Sequence, residues 1–401
     1  MSKNKYICLL TSFKNLNASY HTQKNFYNYI SSNFSKFFFI NSDNLKFFAN
    51  PKKYYFSSEV LCRPENIILV DPKNSREFKD FVKDKILIMI NNIGKTFVDL
   101  KTHFLLKNNN IKQIQCKNIG NIQATINVSW EYPFRTIKFL VFNRIFRKIT
   151  TILAMFKLIN NFDITFISNK KILNLILNSK IKNFLYKKKL LFTKEFLLVN
   201  SKFFDEIKLL NKKISTEYIV HLDFYLNYYE EVRLRGKLDH LNLKKHHDLI
   251  ENFLTIFQKK LNKKVVICIH PLYPTSYFES FYKKFEIVKY RTAEFISRAD
   301  TVTFFDSSAV INALLLKKRV IQLNSSYMGI NMINNTEIYR KPLDLIKVEL
   351  ENFKETDFEI IYGSSKIKDK HYTNYISTFH CFDDKISGTQ KIVDVIKNRY
   401  F

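Results

Sequence analysis

Short apolar, β-branched runs alternate with amphipathic helical patterns along most of this chain, and no other feature restricts its fold as much. In the first half, "KYICLLT" (5–11), "KFFFIN" (36–41), "NIILVD" (66–71) and "KILIMIN" (85–91) read as strands. Between them, "YHTQKNFYNYISSNF" (20–34) and "SREFKDFVKD" (75–84) read as helices, the second with Ser75 as N-cap. "FDITFIS" (162–168) and "EFLLVNS" (195–201) add strands. From residue 217 the theme repeats: "EYIVHLDFYL" (217–226) and "KKVVICIH" (263–270) are strands, with a helix at 246–261 between them. "TAEFISRA" (292–299) reads as a short helix capped by Thr292, and residues 300–324 as strand, turn, helix and strand. Runs that are apolar throughout suit strands covered on both faces, and helices between them supply the crossovers of a parallel sheet. The expected fold class is therefore α/β, with two Rossmann-like, doubly wound domains at 1–205 and 206–380. A terminal helix is expected in 381–401, where "KIVDVIKNRYF" (391–401) carries the pattern.

At 401 residues and 46% apolar content the chain can bury two ordinary cores. Its net charge of +29 would suit nucleic acid, anionic lipid or another polyanion. Only 6 Gly and 7 Pro accompany many Lys, Asn, Ile and Phe, the bias of AT-rich codons, which weakens the charge as a functional signal. The basic residues are mostly scattered lysines without zinc-finger or aromatic RNA-binding signatures, so nucleic acid is not the expected partner. Cys8, Cys62, Cys116, Cys268 and Cys381 are odd in number and widely spaced, as in a reducing cytoplasm. The start "MSKNKYICLLTSF" is too short in its apolar run for a signal peptide, and no stretch reaches a membrane span. Residues 134–159 form a basic amphipathic region with Arg135, Lys138, Arg144, Arg147 and Lys148. It fits either peripheral contact with an anionic membrane or a core-facing helix with a solvated basic face. "LYKKKLLFTK" (185–194) reads as a solvated loop.

Two stretches carry chemistry. In "KKVVICIHPLYP" (263–274), Pro271 drives His270 toward extended geometry, so the strand ends on an imidazole. In "TVTFFDSSAVINALLL" (301–316), the strand stops at Asp306-Ser307-Ser308 and an apolar helix follows. The hydroxyls and first helical amides there would suit an anion, or Asp306 and Ser307 would simply cap the helix. The carboxyl ends of parallel strands are where such sheets bind ligands, so both motifs should face one crevice on neighbouring strands. An imidazole opposite a helix N-terminus suits a leaving phosphate. No DxD metal motif, GxSxG, Walker A or GxGxxG is present, and His246-His247 lacks a matching ligand pair.

The order strand–His-Pro, then strand–Ser-Ser–helix–"KKRVIQL", resembles bacterial glycosyltransferases with two Rossmann domains (GT-B type). It looks most like sialyltransferases and capsule Kdo transferases that use CMP-activated sugars. The resemblance covers residues 217–326 and rests on the order of short motifs. It implies two domains facing across a cleft, the first for acceptor and the second for nucleotide sugar, with the 381–401 helix packing back on the first, and inverting transfer to a surface glycan or glycolipid of the capsule or lipopolysaccharide kind. Donor contacts would fall to Pro271, Asp306, Ser307, Ser308 and Glu294, the last either at the ribose or simply a first-turn charge on its helix, and His270 would assist the leaving phosphate. No metal or cofactor is implied beyond the CMP-sugar co-substrate. Residues 293–323 also look like CDP-glycerol glycerophosphotransferases, the alternative enzyme. A non-catalytic basic protein for membrane or nucleic acid is the alternative from another class.

One departure bears on the base. The sialyltransferase-type acidic pair followed by Gly is absent. Asp223, ending "YIVHLD", is the first candidate and equally suits a loop-capping carboxylate; Glu230 and Glu231 follow, then Asp43 and Asp71. Arg291 is either a further charge near the phosphate or plain surface.

Overall fold

The computed structural model describes residues 4–11, 16, 20, 23–46, 64–91, 97–117, 145, 149–188, 193–210, 215–223, 226, 240–271, 274–328, 337, 339–380 and 386–401. Cys62, Cys381, Glu230, Glu231, Arg135, Lys138, Arg144, Arg147 and Lys148 lie outside them. The described residues fall into two compact units. One draws on Met1–Gly120, Lys138–Lys202 and Phe379–Phe401, and the other on Phe203–Thr378.

The first unit runs β1 (Asn4–Thr11), α1 (Lys24–Asn33), β2 (Phe37–Asn41), β3 (Ile67–Val70), α2 (Ser75–Val82), β4 (Lys85–Asn91), α3 (Phe97–Asn108) and β5 (Lys112–Lys117). It continues through a helix α4 over residues 149–155, then β6 (Phe162–Ile167), α5 (Lys170–Leu177), α6 (Lys180–Lys187) and β7 (Thr193–Leu198). All pairings are parallel, in the order β3-β2-β1-β4-β5-β6-β7. Period-two alternation explains why β1 sits inside: Ile7 and Leu9 enter one core cluster and Cys8 and Leu10 the other. Burial pushes the Cys116 thiol up to about 12 and raises Cys8 further, so both are inert packing groups.

The second unit runs α7 (Lys202–Leu209), β8 (Tyr218–Asp223), α8 (His240–Leu261), β9 (Lys264–Ile269), α9 (Thr275–Glu279), β10 (Glu286–Lys289), α10 (Thr292–Ser297), β11 (Ala299–Phe304), α11 (Val310–Leu315), β12 (Arg319–Asn324) and β13 (Ile346–Glu349). Helices α12 (Phe358–Ser364) and α13 (Asp369–Phe379) follow, and the chain ends in α14 (Gly388–Tyr400). The parallel sheet has the order β10-β9-β8-β11-β12-β13, a doubly wound arrangement whose direction reverses at β8. One core cluster joins Ile219, Ile267 and Ile321 to Ile250, Phe253 and Phe257 of α8.

Helix α14 belongs to the first unit, where Ile392, Val393 and Ile396 enter the β1 cluster. Ser387 caps it by accepting from the Gln390 amide, and Asn200 Nδ2 donates to the Ile386 carbonyl at 2.7 Å. A Cβ at Gly388 would stand 2.1 Å from the Asn200 carbonyl oxygen, so no side chain fits without moving the helix. Gly388→Ala is therefore expected to destabilise the first unit by about 1–3 kcal/mol through overpacking. A urea melt checks this, and an unchanged midpoint would contradict it.

Several local expectations need correction. Asn74, not Ser75, caps α2, accepting from the Arg76 and Glu77 amides at 2.9 and 3.0 Å. Arg291 rather than Thr292 holds the cap position of α10. Leu185–Lys187 finish α6 and Thr193 begins β7, so much of 185–194 is regular structure rather than loop. Helix α11 begins at Val310, later than the Ser-Ser pair implies. Within 134–159, the described α4 packs Ala154 into a cluster with Leu100 and Phe162.

Candidate functional site

Three consecutive strands bring the singled-out residues of the second unit to one end of its sheet. Asp223 closes β8, paired in register with Ile269, so His270 follows immediately beside it on β9. On the other flank of β8, β11 leads into Phe305 and then Asp306-Ser307-Ser308. The expectation that the two motifs sit on neighbouring strands is therefore corrected, because β8 lies between them. The winding reversal at β8 is the cause. The reversal also puts both motifs around the switch point, with their strand ends about 10 Å apart.

His270 is exposed by area, yet desolvation by the surrounding protein lowers its pKa from the usual imidazole value. At pH 7 it is mainly neutral and able to donate one N–H. Pro271 sits half-buried behind it. Ser308 is exposed, and Asp306 and Ser307 are half-buried. The Ser307 hydroxyl accepts from the Ala309 amide at 3.3 Å, and the Val310, Ile311 and Asn312 amides donate to the carbonyls three residues back. The helix amides expected to be available to an anion are thus engaged within the turn, which shifts that task to the serine hydroxyls. Glu294 lies in the first turn of α10 and takes both arms of the Arg291 guanidinium at 2.9 and 2.6 Å. Those hydrogen bonds hold its carboxyl below the usual carboxylate range.

Asp223 sits deeper than its neighbours. Its side chain has 0% exposure, and Tyr282 Oη donates to its Oδ2 at 2.6 Å. His247 Nδ1 lies 2.8 Å from the same hydroxyl, and His247 Nε2 lies 3.2 Å from Tyr277 Oη. A phenol has one proton, and Tyr282 gives it to the carboxylate, so His247 must donate through Nδ1 and accept through Nε2. The chain of bonds therefore runs from Tyr277 through His247 and Tyr282 to Asp223. Burial, then the Asp223 charge, raises the Tyr282 pKa well above that of a free phenol, which keeps it a donor.

Two further histidines line this interior. His221 shares the face of β8 with Asp223, two residues away, and its Nδ1 lies 2.8 Å from Thr303 Oγ1. His246 Nδ1 lies 3.0 Å from Ser325 Oγ, and both rings pack against Phe305. Burial lowers His221 to about 3 and His246 to about 4, and it also holds His247 well below the usual value. Among the described residues, no group of three or more His, Cys, Asp or Glu could hold a metal ion. Sequence reasoning missed this network, although the His-x-Asp spacing on one strand face was a visible signal for part of it.

In the first unit, Asp71 follows β3 and accepts from Asn41 and Asn44 at 2.7 and 3.3 Å. Asp43 follows β2 and pairs with Lys46 at 3.3 Å. Both carboxylates are occupied in holding strand-end turns.

No family model and no curated protein matches the chain. Solved structures do. The chain is similar to the wall teichoic acid polymerase TagF at 15% identity and TM-score 0.54, over 98% of this chain and 88% of that one. It is also similar to a protein assigned as a UDP-N-acetylglucosamine 2-epimerase from Listeria monocytogenes, at 11% identity and TM-score 0.53, over 100% and 97%. The fold is of the GT-B type. A third similar structure, the calicheamicin glycosyltransferase CalG4, matches at 6% identity and TM-score 0.50 over 99% and 98%. At these identities the likeness is one of fold, and the functional argument rests on the site.

Proposed function

We propose that this GT-B chain is an inverting, metal-independent glycosyltransferase that moves a sialic acid- or Kdo-like sugar from a CMP-activated donor to a bacterial surface glycan, of the capsule or lipopolysaccharide kind. The observation that carries this reading is the convergence of His270 and Ser307-Ser308 on either side of β8, at the switch point of a doubly wound sheet. The acceptor oxygen attacks the anomeric carbon as its bond to the CMP phosphate breaks. His270 hydrogen-bonds the departing phosphate, Ser307 and Ser308 hold it, and Pro271 and Asp306 shape the pocket. Glu294 meets the ribose only by exchanging its Arg291 contact. Asp223 takes the acceptor proton, which requires that hydroxyl to reach a carboxylate already bound to Tyr282. The reading puts the reaction in the cytoplasm, with peripheral membrane contact through 134–159. Among the described residues no helix is long and apolar enough to cross a membrane.

The likeness of residues 293–323 to CDP-glycerol glycerophosphotransferases supports a second reading, and the fold similarity to a wall teichoic acid polymerase agrees with it. Product analysis separates the two: sugar transfer releases CMP and adds no phosphorus to the acceptor, whereas glycerophosphate transfer adds one phosphorus. Asp223→Asn tests the base. Loss of about 10²–10⁴ in kcat with nucleotide binding retained is expected for general base catalysis. A melting-point drop with kcat intact would make Asp223 structural.

A further inference from the structure

Residues 132–194 hold fourteen Lys and Arg but only one acidic residue, Asp163, in a chain whose totals are 65 and 36. Asp163 is itself paired with Lys194 at 2.5 Å. The same stretch holds most of the large apolar side chains that the described residues expose. Leu175 is 59% exposed and Leu177 38% on α5, Phe184 is 58% exposed on α6, and Ile152 and Phe156 are 49% and 73% exposed on or beside α4. Helix α5 has five apolar residues out of eight, none of them buried. Ile172, Leu173 and Ile176 are half-buried on one side of α5, and Leu175 lies on the side left open.

The described helices that expose these side chains share one layer. Strands β4, β5, β6 and β7 are added in one direction, so right-handed crossovers put α3, α4 and the α5–α6 pair on the same face of the sheet. Lys170 and Lys171 open α5, Lys180 and Lys182 lie at the start of α6, and Lys187 and Lys188 end it; all six are exposed. Apolar tips ringed by lysines, with almost no acidic residue to repel lipid phosphates, match the surface of an anionic bilayer. Lysine stems can lie along the acyl boundary while their ammonium groups meet headgroups.

We propose that the α5–α6 pair, with the outer side of α4, docks this protein on an anionic lipid bilayer. Leu175 and Phe184 enter the headgroup–acyl boundary and the six lysines pair with lipid phosphates. This deepens the membrane contact proposed through 134–159 by naming the docking surface, and it does not depend on the donor.

The test is co-sedimentation of the full chain with vesicles of phosphatidylcholine alone and of an equimolar phosphatidylcholine–phosphatidylglycerol mixture, at low and high salt. Binding to the mixed vesicles should be strong at low salt, fall as salt rises and be weak on phosphatidylcholine alone. Leu175→Glu combined with Phe184→Glu should weaken it at least tenfold, and Lys170→Glu with Lys171→Glu should flatten the salt dependence. The replaced side chains are exposed, so circular dichroism melts should be unchanged. Absence of binding to mixed vesicles would overturn the proposal. So would binding indifferent to the Leu175 and Phe184 replacements, the behaviour of diffuse positive charge. Equal binding to duplex DNA, lost with the same replacements, would assign the surface to nucleic acid instead.

Discussion

Replacing His270 by Ala is expected to remove transfer activity by about 10²–10⁴-fold while leaving the fold intact, the range for loss of a positioned proton donor. The strand that carries it is anchored independently of its side chain: Val265 to Ile269 are buried, and Ile269 pairs with Asp223. The imidazole itself is exposed, so its removal opens no core cavity. Its pH behaviour adds a signature. In the free protein desolvation holds the His270 pKa below its usual value, and a bound phosphate favours the charged ring and raises it. Binding then takes up a proton, so nucleotide affinity should rise as pH falls between the two values and decline as pH rises. His270→Ala should abolish that dependence along with activity. Full activity of the variant would return His270 to the role of a plain strand-end residue.

Acidification should destabilise the second unit steeply. His221, His246 and His247 are buried neutral, and each would carry a proton near pH 6.5 in the unfolded chain. Because their folded pKa values are lowered, the unfolded state binds more protons below 6.5, and stability falls with falling pH. The slope for each approaches about 1.4 kcal/mol per pH unit only below the window and averages about half of that across it, so three together remove about 4 kcal/mol between about pH 7.5 and 5.5. That is a large part of the stability of an ordinary domain, about 5–15 kcal/mol. Carboxylates held low by ion pairs, such as Glu294, lose their contribution only at more acidic pH. Urea melts across this range measure the slope, and a flat profile down to pH 5.5 would show that the three rings are not buried neutral.

The strands were legible wherever a run is covered on both faces, as in "YICLLT" and "KVVICI", because continuous burial leaves a continuous apolar pattern. Their order was not. It depends on where the winding reverses, and the reversal follows β10, a four-residue strand in which only Val288 is buried and Glu286 and Lys289 flank the pattern. Missing β10 makes β9 and β11 look adjacent. The Asp223 network was hidden for a different reason: Tyr282 meets the carboxylate across 59 positions of sequence, and nothing local marks that contact. Helices α5 and α6 escaped notice because their apolar residues are diluted by lysines and do not face a core. The same property suggests the surface they form. Position at a strand end, by contrast, depends on local geometry, and Pro271 announces it for His270.

The central claim is that His270 and the Ser307-Ser308 pair hold a cytidine phosphate. Thermal stabilisation of the purified chain by CMP, CDP, UMP and UDP, with His270→Ala and Ser308→Ala alongside, tests it most directly. Selective stabilisation by CMP, lost in both variants, is the predicted result. Preference for UDP would contradict the cytidine assignment, and no response to any of the four would contradict the site itself.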